Sequence, residues 1–288
     1  MPIDGLTIIG ESINDSVPST QGLFETGDIE GLRALARMQD ERGATYIDVN
    51  VGQRPAEFLA EMIREVQSVT TRPLSIDTPD PAMAEAGLKA YDLERAGGKP
   101  PVLNSISPLR PEMFELYSVQ PFLPMLMVSE RVEGGRGKPN MTGEETVDTA
   151  KQLLATAAGK GIRPDQCIID PAISPIGSDS EGHLPRIMET MRRIHDDANC
   201  AGVHMSVGLT NFTVMLPPKR PDGSPVKSAL ENGFLTLATP LGLDHVIGSV
   251  KRKYAILVDG DPALECVRDC LALAGFDSIM RVQEFYST

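Results

Sequence analysis

TYIDVNVG at residues 45–52, AEFLAEMIREVQSV at 56–69 and PLSID at 73–77 follow one another along the chain. The first and third are short and rich in Val, Ile and Leu, without the polar alternation of a half-exposed strand. They read as strands covered on both faces, as in a parallel sheet. The middle segment carries Phe58, Met62, Val66 and Val69 at helical spacing, an apolar stripe that needs a surface to lie on. Strand, helix and strand in that order form a βαβ unit, whose crossover returns the second strand parallel to the first.

The same alternation continues in both directions. Further strand-like runs are Leu6–Gly10, Pro101–Ser105, Phe122–Val128, Gln166–Asp170, Ala201–Gly208 and His245–Ile247, which brings the total to eight. Helical patterns lie between them. Leu184, Ile187, Met188, Met191 and Ile194 form one stripe, and Val147, Ala150, Leu154 and Ala157 another. The second is opened by Thr142-Gly143-Glu144-Glu145, a capping box, and Gly43 and Gly161 stand where helices should stop. The seven steps from Gly10 to Ile247 average about 34 residues, which suits a (β/α)8 barrel. The expectation is therefore an α/β fold, a single (β/α)8 TIM barrel occupying residues 1–288 as one domain. A doubly wound open sheet is the alternative. Two segments read as loops, Ser129–Asn140 and Phe212–Lys227, and long loops after barrel strands are often functional.

Composition narrows the function. Lys and Arg number 27 against 40 Asp and Glu, a net charge of −13. That balance disfavours binding to a nucleic-acid backbone or to an anionic membrane surface. No apolar run is long enough to span a bilayer, and Met1–Gly5 has neither a basic region nor a cleavable apolar segment, so a cytoplasmic location is expected. Cys167, Cys200, Cys266 and Cys270 form no CxxC and read as buried thiols. The four histidines are scattered, and no His, Asp and Glu cluster has ligand spacing, so no metal is expected.

In a parallel barrel the site lies at the C-terminal ends of the strands. The polar residues there are Glu11 and Asn14, Asp48 and Asn50, Asp77, Asn104, Asp170, and the Gly208-Leu209-Thr210-Asn211 segment. Each alone is also a good turn former or helix cap. Together, Asp77, Asn104 and Asp170 suit a neutral heterocycle with a row of N–H donors. A carboxylate accepts two such bonds side by side, and the carboxamide of Asn104 can donate and accept. No Lys ends a strand, which weakens a Schiff-base aldolase.

The order of these motifs resembles the pterin-binding barrel family, and within it the methyltetrahydrofolate:corrinoid-protein methyltransferases. Gly10-Glu11-Ser12-Ile13-Asn14 is similar to that branch's GERIN opening, with Ser12 in place of Arg. Asp48-Val49-Asn50-Val51-Gly52 is similar to its D-x-N-x-G, and Gly208–Asn211 to its GLSN. The resemblance implies a methyl transfer between N5 of tetrahydrofolate and the cobalt of a corrinoid (cobalamin) carried by a partner protein, in a direction that it leaves open. It implies that Asn211 acts at N5. It implies that Asp77, Asn104, Asp170, Asn50, Gly208, Thr210 and Lys227 bind the pterin or folate, Lys227 standing in a family Arg position. It also implies a homodimer. Dihydropteroate synthase shares the barrel and the Ser-Ile-Asp-Thr segment (75–78), but its Asn-Val-Thr opening and C-terminal Arg-x-His are missing here. A non-catalytic pterin- or corrinoid-binding subunit is the alternative outside enzymes.

Overall fold

A computed structural model describes residue 1 and residues 3–288. Eight parallel strands close on themselves in the order β1 (Thr7–Asn14), β2 (Tyr46–Asn50), β3 (Leu74–Asp77), β4 (Val102–Ile106), β5 (Leu123–Met127), β8 (Ile168–Asp170), β9 (His204–Gly208) and β10 (Leu243–Gly248), and β10 pairs back with β1. The closure excludes the doubly wound open sheet and gives the expected barrel. The segment 129–140 is not a simple loop. It folds as an antiparallel hairpin of β6 (Glu130–Glu133) and β7 (Arg136–Pro139). Gly134 and Gly135 both take positive φ, 59° and 76°, which the two central positions of a type I′ turn require.

Helices cover the outside of the barrel. The helix Ala56–Gln67 buries Leu59, Met62, Ile63 and Val66, while Phe58 is half-buried and Val69 lies beyond its end. The helix Gly143–Gly159 starts with the expected box: Thr142 Oγ1 accepts from the Glu145 N–H, and the Glu145 carboxylate accepts from the Thr142 N–H. It buries Leu153 rather than Leu154. The main core lies between barrel and helices. A second, separate cluster of Ile9, Val102, Met125 and Ile168, with Tyr46, Leu123 and Ile247 against it, fills the barrel interior. Each such buried aliphatic side chain contributes roughly 1.5–3 kcal/mol. Side chains alternate along a strand, so the residues two positions beyond Ile9, Val102, Met125 and Ile168 face the same interior. Those residues are Glu11, Asn104, Met127 and Asp170. The apolar layer is thus the floor on which a polar layer stands. Among the described residues no helix is long and apolar enough to cross a membrane.

Strand register sets the positions of that upper layer. Asp77 is paired with Asn104 across β3 and β4, Met127 with Asp170, and Gly208 with Ile247. β1 runs past its expected end. Its register with β2 shifts between Gly10 and Ile13, so Glu11 to Asn14 belong to the strand and not to a loop after it.

Candidate active site

The C-terminal ends of the barrel strands surround a cavity of about 610 Å³. Asp77, Asn104, Asp170, Gly208, Thr210, Asn211 and Lys227 all line it, with Glu11, Asp48, Ser249 and Arg252. Asn50 is the exception among the expected residues. It lies one layer behind, where its Nδ2 donates to Asp77 Oδ2 at 2.9 Å and its Oδ1 accepts from the Gly52 N–H at 2.9 Å. Each end of its amide thus makes one bond within the protein, and the bond to Asp77 orients that carboxyl.

Burial controls the acidity of the cavity. It pushes Asp170 up to about 7, opposed by the Ala172 N–H that donates to Oδ1 at 2.8 Å. It pushes Asp77 up to about 6, opposed by the Asn50 amide. Asp48 is fully buried, and burial and the Asp77 charge hold its carboxyl well above the usual carboxylate range. Neither Asp48 oxygen has a well-formed hydrogen bond within the protein, and neither has Ser75 Oγ beside it on β3. Glu11 is also raised by burial, opposed by the Thr210 hydroxyl, which donates to Glu11 Oε2 at 2.7 Å. The polar layer is therefore a set of carboxyls that burial holds above the usual carboxylate range. Buried polar groups without partners favour a ligand that supplies them. A small, flat, neutral ring with both donors and acceptors on its edge meets that requirement.

Asn211 lies at the rim, in the short helical turn Leu209–Phe212 after β9. Among the described residues its side-chain amide has no hydrogen-bonding partner, although its backbone carbonyl accepts from Val214. Gly208 makes room for it, because a Cβ there would lie 2.8 Å from Asn211 Nδ2. Lys227 opens the helix Lys227–Ala238 at the mouth, with no ion pair among the described residues. Arg252 is paired with the buried Glu231, whose Oε1 also accepts from Thr213 Oγ1 at 2.5 Å. Val214 of the 212–227 segment also lines the cavity, but Lys219 and Arg220 do not. Lys219 lies in a backbone bridge with Pro225, and Arg220 stacks over the Phe285 ring at 3.7 Å. Of the segment's cations Lys219, Arg220 and Lys227, only Lys227 lines the cavity.

Sequence reading overlooked Ser249 and Arg252, because it stopped at the last apolar run. It also treated the histidines as scattered, whereas His204, Asp244 and His245 meet at the opposite end of the barrel. His204 and Asp244 stand 40 residues apart, and only the adjacency of β9 and β10 brings them together.

Residues 13–248 match the family described as "pterin binding enzyme". A methylcorrinoid:tetrahydrofolate methyltransferase of Eubacterium limosum is 29% identical over 248 residues, 84% of each chain. Among solved structures, the chain resembles 7,8-dihydropteroate synthase from Vibrio fischeri (14% identity, TM-score 0.58, 94% of this chain and 95% of that one). It also resembles the Xanthomonas albilineans enzyme solved with 4-aminobenzoic acid (19% identity, TM-score 0.59, 93% and 91%). At these identities the structural likeness speaks for the fold alone. The family match spans nearly all of the barrel and every strand end that lines the cavity, and the chain belongs to the pterin binding enzyme family.

Proposed function

We propose that this protein is a methyltransferase that moves a methyl group between N5 of tetrahydrofolate and the cobalt of a corrinoid held by a partner protein. The observation that carries the reading is Asn211, an uncommitted carboxamide over Gly208 at the rim of a polar cavity. In this reading the whole chain, 1–288, is one catalytic domain. Asp77, Asn104 and Asp170 hold the pterin edge through complementary donors and acceptors. Asn50 keeps Asp77 in place, and Lys227 attracts the carboxylates of the folate tail.

The chemistry gives Asn211 its role. N5 of the folate changes between a tertiary amine that bears the methyl group and a secondary amine that bears a proton, so as the methyl leaves, the C–N electron pair stays on N5 and a proton from water takes the methyl's place. A single N–H donor beside it stabilises the lone pair as it develops, without placing a formal charge in the pocket. When tetrahydrofolate is the methyl acceptor, the Asn211 carboxamide oxygen would accept from N5–H and so orient the lone pair toward the methyl carbon; the carbon–cobalt electron pair would stay with the corrinoid and the N5 proton would leave to water. The corrinoid supplies the cobalt–carbon chemistry. The Eubacterium limosum relative's name has tetrahydrofolate as the acceptor, which favours testing that direction first. The alternative of a dihydropteroate synthase draws on the shared barrel and the Ser-Ile-Asp-Thr segment at 75–78.

Mixing the protein with methylcobalamin and tetrahydrofolate should consume methylcobalamin absorbance and produce 5-methyltetrahydrofolate. Absence of turnover, together with dihydropteroate formation from a pterin pyrophosphate and 4-aminobenzoate, would replace this reading with the synthase. The proposal includes a homodimer, so light scattering should give about twice the 31.1 kDa of one chain. A monomer mass would remove that part alone.

A further inference from the structure

At the N-terminal end of the barrel, remote from the cavity, His204 begins β9 and Asp244 and His245 lie near the start of β10. His204 Nδ1 stands 2.6 Å from Asp244 Oδ2, and His245 Nδ1 stands 2.7 Å from Asp244 Oδ1. Each imidazole thus uses a different oxygen of one carboxylate, and the rings face each other with centroids 4.7 Å apart. The Met205 N–H donates to Asp244 Oδ1 at 3.2 Å and anchors the carboxylate to β9. The register of β9 and β10 shifts between Leu243 and His245, at the point where the three side chains meet.

We propose that His204, Asp244 and His245 form a binding site for a divalent late first-row transition metal of the zinc class. One donor atom from each residue lies within 4.8 Å of the others. Tetrahedral zinc with ligand bonds near 2.0–2.1 Å needs donors about 3.3 Å apart. The nearest donor pairs, at 2.6 and 2.7 Å, lie just below that separation, and the outer limit lies above it. Small side-chain rotations therefore suffice. Two imidazole nitrogens and one carboxylate oxygen are a donor set that suits zinc, nickel or copper rather than magnesium or calcium. Binding would require each ring to present an unprotonated Nδ1, any proton there leaving to water, and the metal would take the place of the two hydrogen bonds. The His204 and Asp244 side chains are 36% and 39% exposed, so an ion and one water ligand can reach the site, while His245 at 8% gives it a fixed wall. The ion would tie the last two strands of the barrel together and would take no part in the chemistry at the opposite end.

The test is calorimetric titration of zinc chloride into untagged, chelator-stripped protein, with thermal melting of the same samples. One equivalent should bind, and an excess should raise the melting temperature by several degrees. His204→Gln and Asp244→Asn should each weaken binding at least roughly tenfold and abolish the melting shift. His183→Gln, outside the cluster, should leave both unchanged. Zinc-edge X-ray absorption on the wild-type complex needs no variant and should show two imidazole ligands. The proposal is overturned by absence of binding to the wild type, by binding that survives His204→Gln and Asp244→Asn, or by fewer than two imidazoles at the metal.

Discussion

The Thr210 hydroxyl donates to the Glu11 carboxyl at 2.7 Å, a contact between residues 199 positions apart that ties the first barrel strand to the turn carrying Asn211. Burial holds the Glu11 carboxyl above the usual carboxylate range and the hydroxyl partly offsets it, so the pair is a clamp inside the cavity. Thr210→Val keeps the shape and removes the donor. Expected is a modest stability loss of about 1 kcal/mol and a fall in kcat larger than any change in tetrahydrofolate affinity, because the Asn211 turn is less firmly held. Melting and methylcobalamin consumption measured on one preparation separate the two effects. Equal losses in both would reduce Thr210 to a stabilising contact.

Asn211→Ala should lower kcat by roughly 10²–10³-fold while tetrahydrofolate binding changes only a few-fold, as expected when one preorganised donor acts in the transition state. A variant that melts early yet turns over at the wild-type rate would make Asn211 a turn former only.

Asp170 offers a trade between stability and binding. Its folded carboxyl takes up a proton near pH 7, against an ordinary value of 3.8. Between those values the folded chain holds a proton that the unfolded chain has lost, so stability falls as pH rises through that window. Asp170→Asn removes this penalty and should raise the melting temperature of the ligand-free protein above pH 7. The same change should cost on the order of 2–4 kcal/mol of folate binding by removing charge-assisted acceptors. The chain has no Trp, so calorimetry is the suitable probe. Unchanged folate affinity would remove Asp170 from the ring pocket.

Folate affinity should also depend on pH. Ring N–H donors favour the ionised carboxylates, while Asp77 and Asp170 are held protonated up to about 6 and about 7. Affinity should therefore rise as pH increases from 5.5 to 8, with proton release on binding, and Asp170→Asn should flatten the upper part of the curve. Calorimetry in buffers of different ionisation enthalpy reads the released protons directly, and a pH-independent affinity would contradict the ring contacts.

The three cations of the 212–227 segment should behave differently. Lys227→Gln should weaken folate binding and reduce its salt dependence, since Lys227 alone of the three lines the cavity. Arg220→Gln should lower the melting temperature through loss of its stack on Phe285, with little effect on affinity. Lys219→Gln should change neither. A loss of affinity spread equally over all three would restore a general electrostatic role to the segment.

The barrel was legible because runs such as TYIDVNVG and PLSID carry a pattern fixed by local burial. Residues that end a strand share its direction, so Asp77, Asn104, Asp170 and Asn211 could be placed together from spacing alone. What escaped depends on contacts across the sheet. Asn50 has the residue type of a ligand-binding group, but its amide bonds Asp77 and the Gly52 N–H and does not line the cavity. The hairpin at 130–139 was hidden because its flanking residues are mostly polar, although the Gly134-Gly135 pair is a hairpin signal. The stack of Arg220 on Phe285 could not be read either, because Phe285 lies 65 positions downstream and no sequence window joins them. The histidine cluster was invisible for the same reason.

The bare backbone at Gly208 has a practical use. A methyl group there would meet only the far end of the Asn211 side chain, which can swing aside, and would collide with no backbone. Gly208→Ala should then yield a protein that folds, holds folate and keeps its outer surface, yet has its amide turned from the reacting nitrogen. On the proposed reading, such a stalled form immobilised with folate bound should be bait for a corrinoid protein, retaining a methylated carrier that the unaltered enzyme would demethylate before it could be caught.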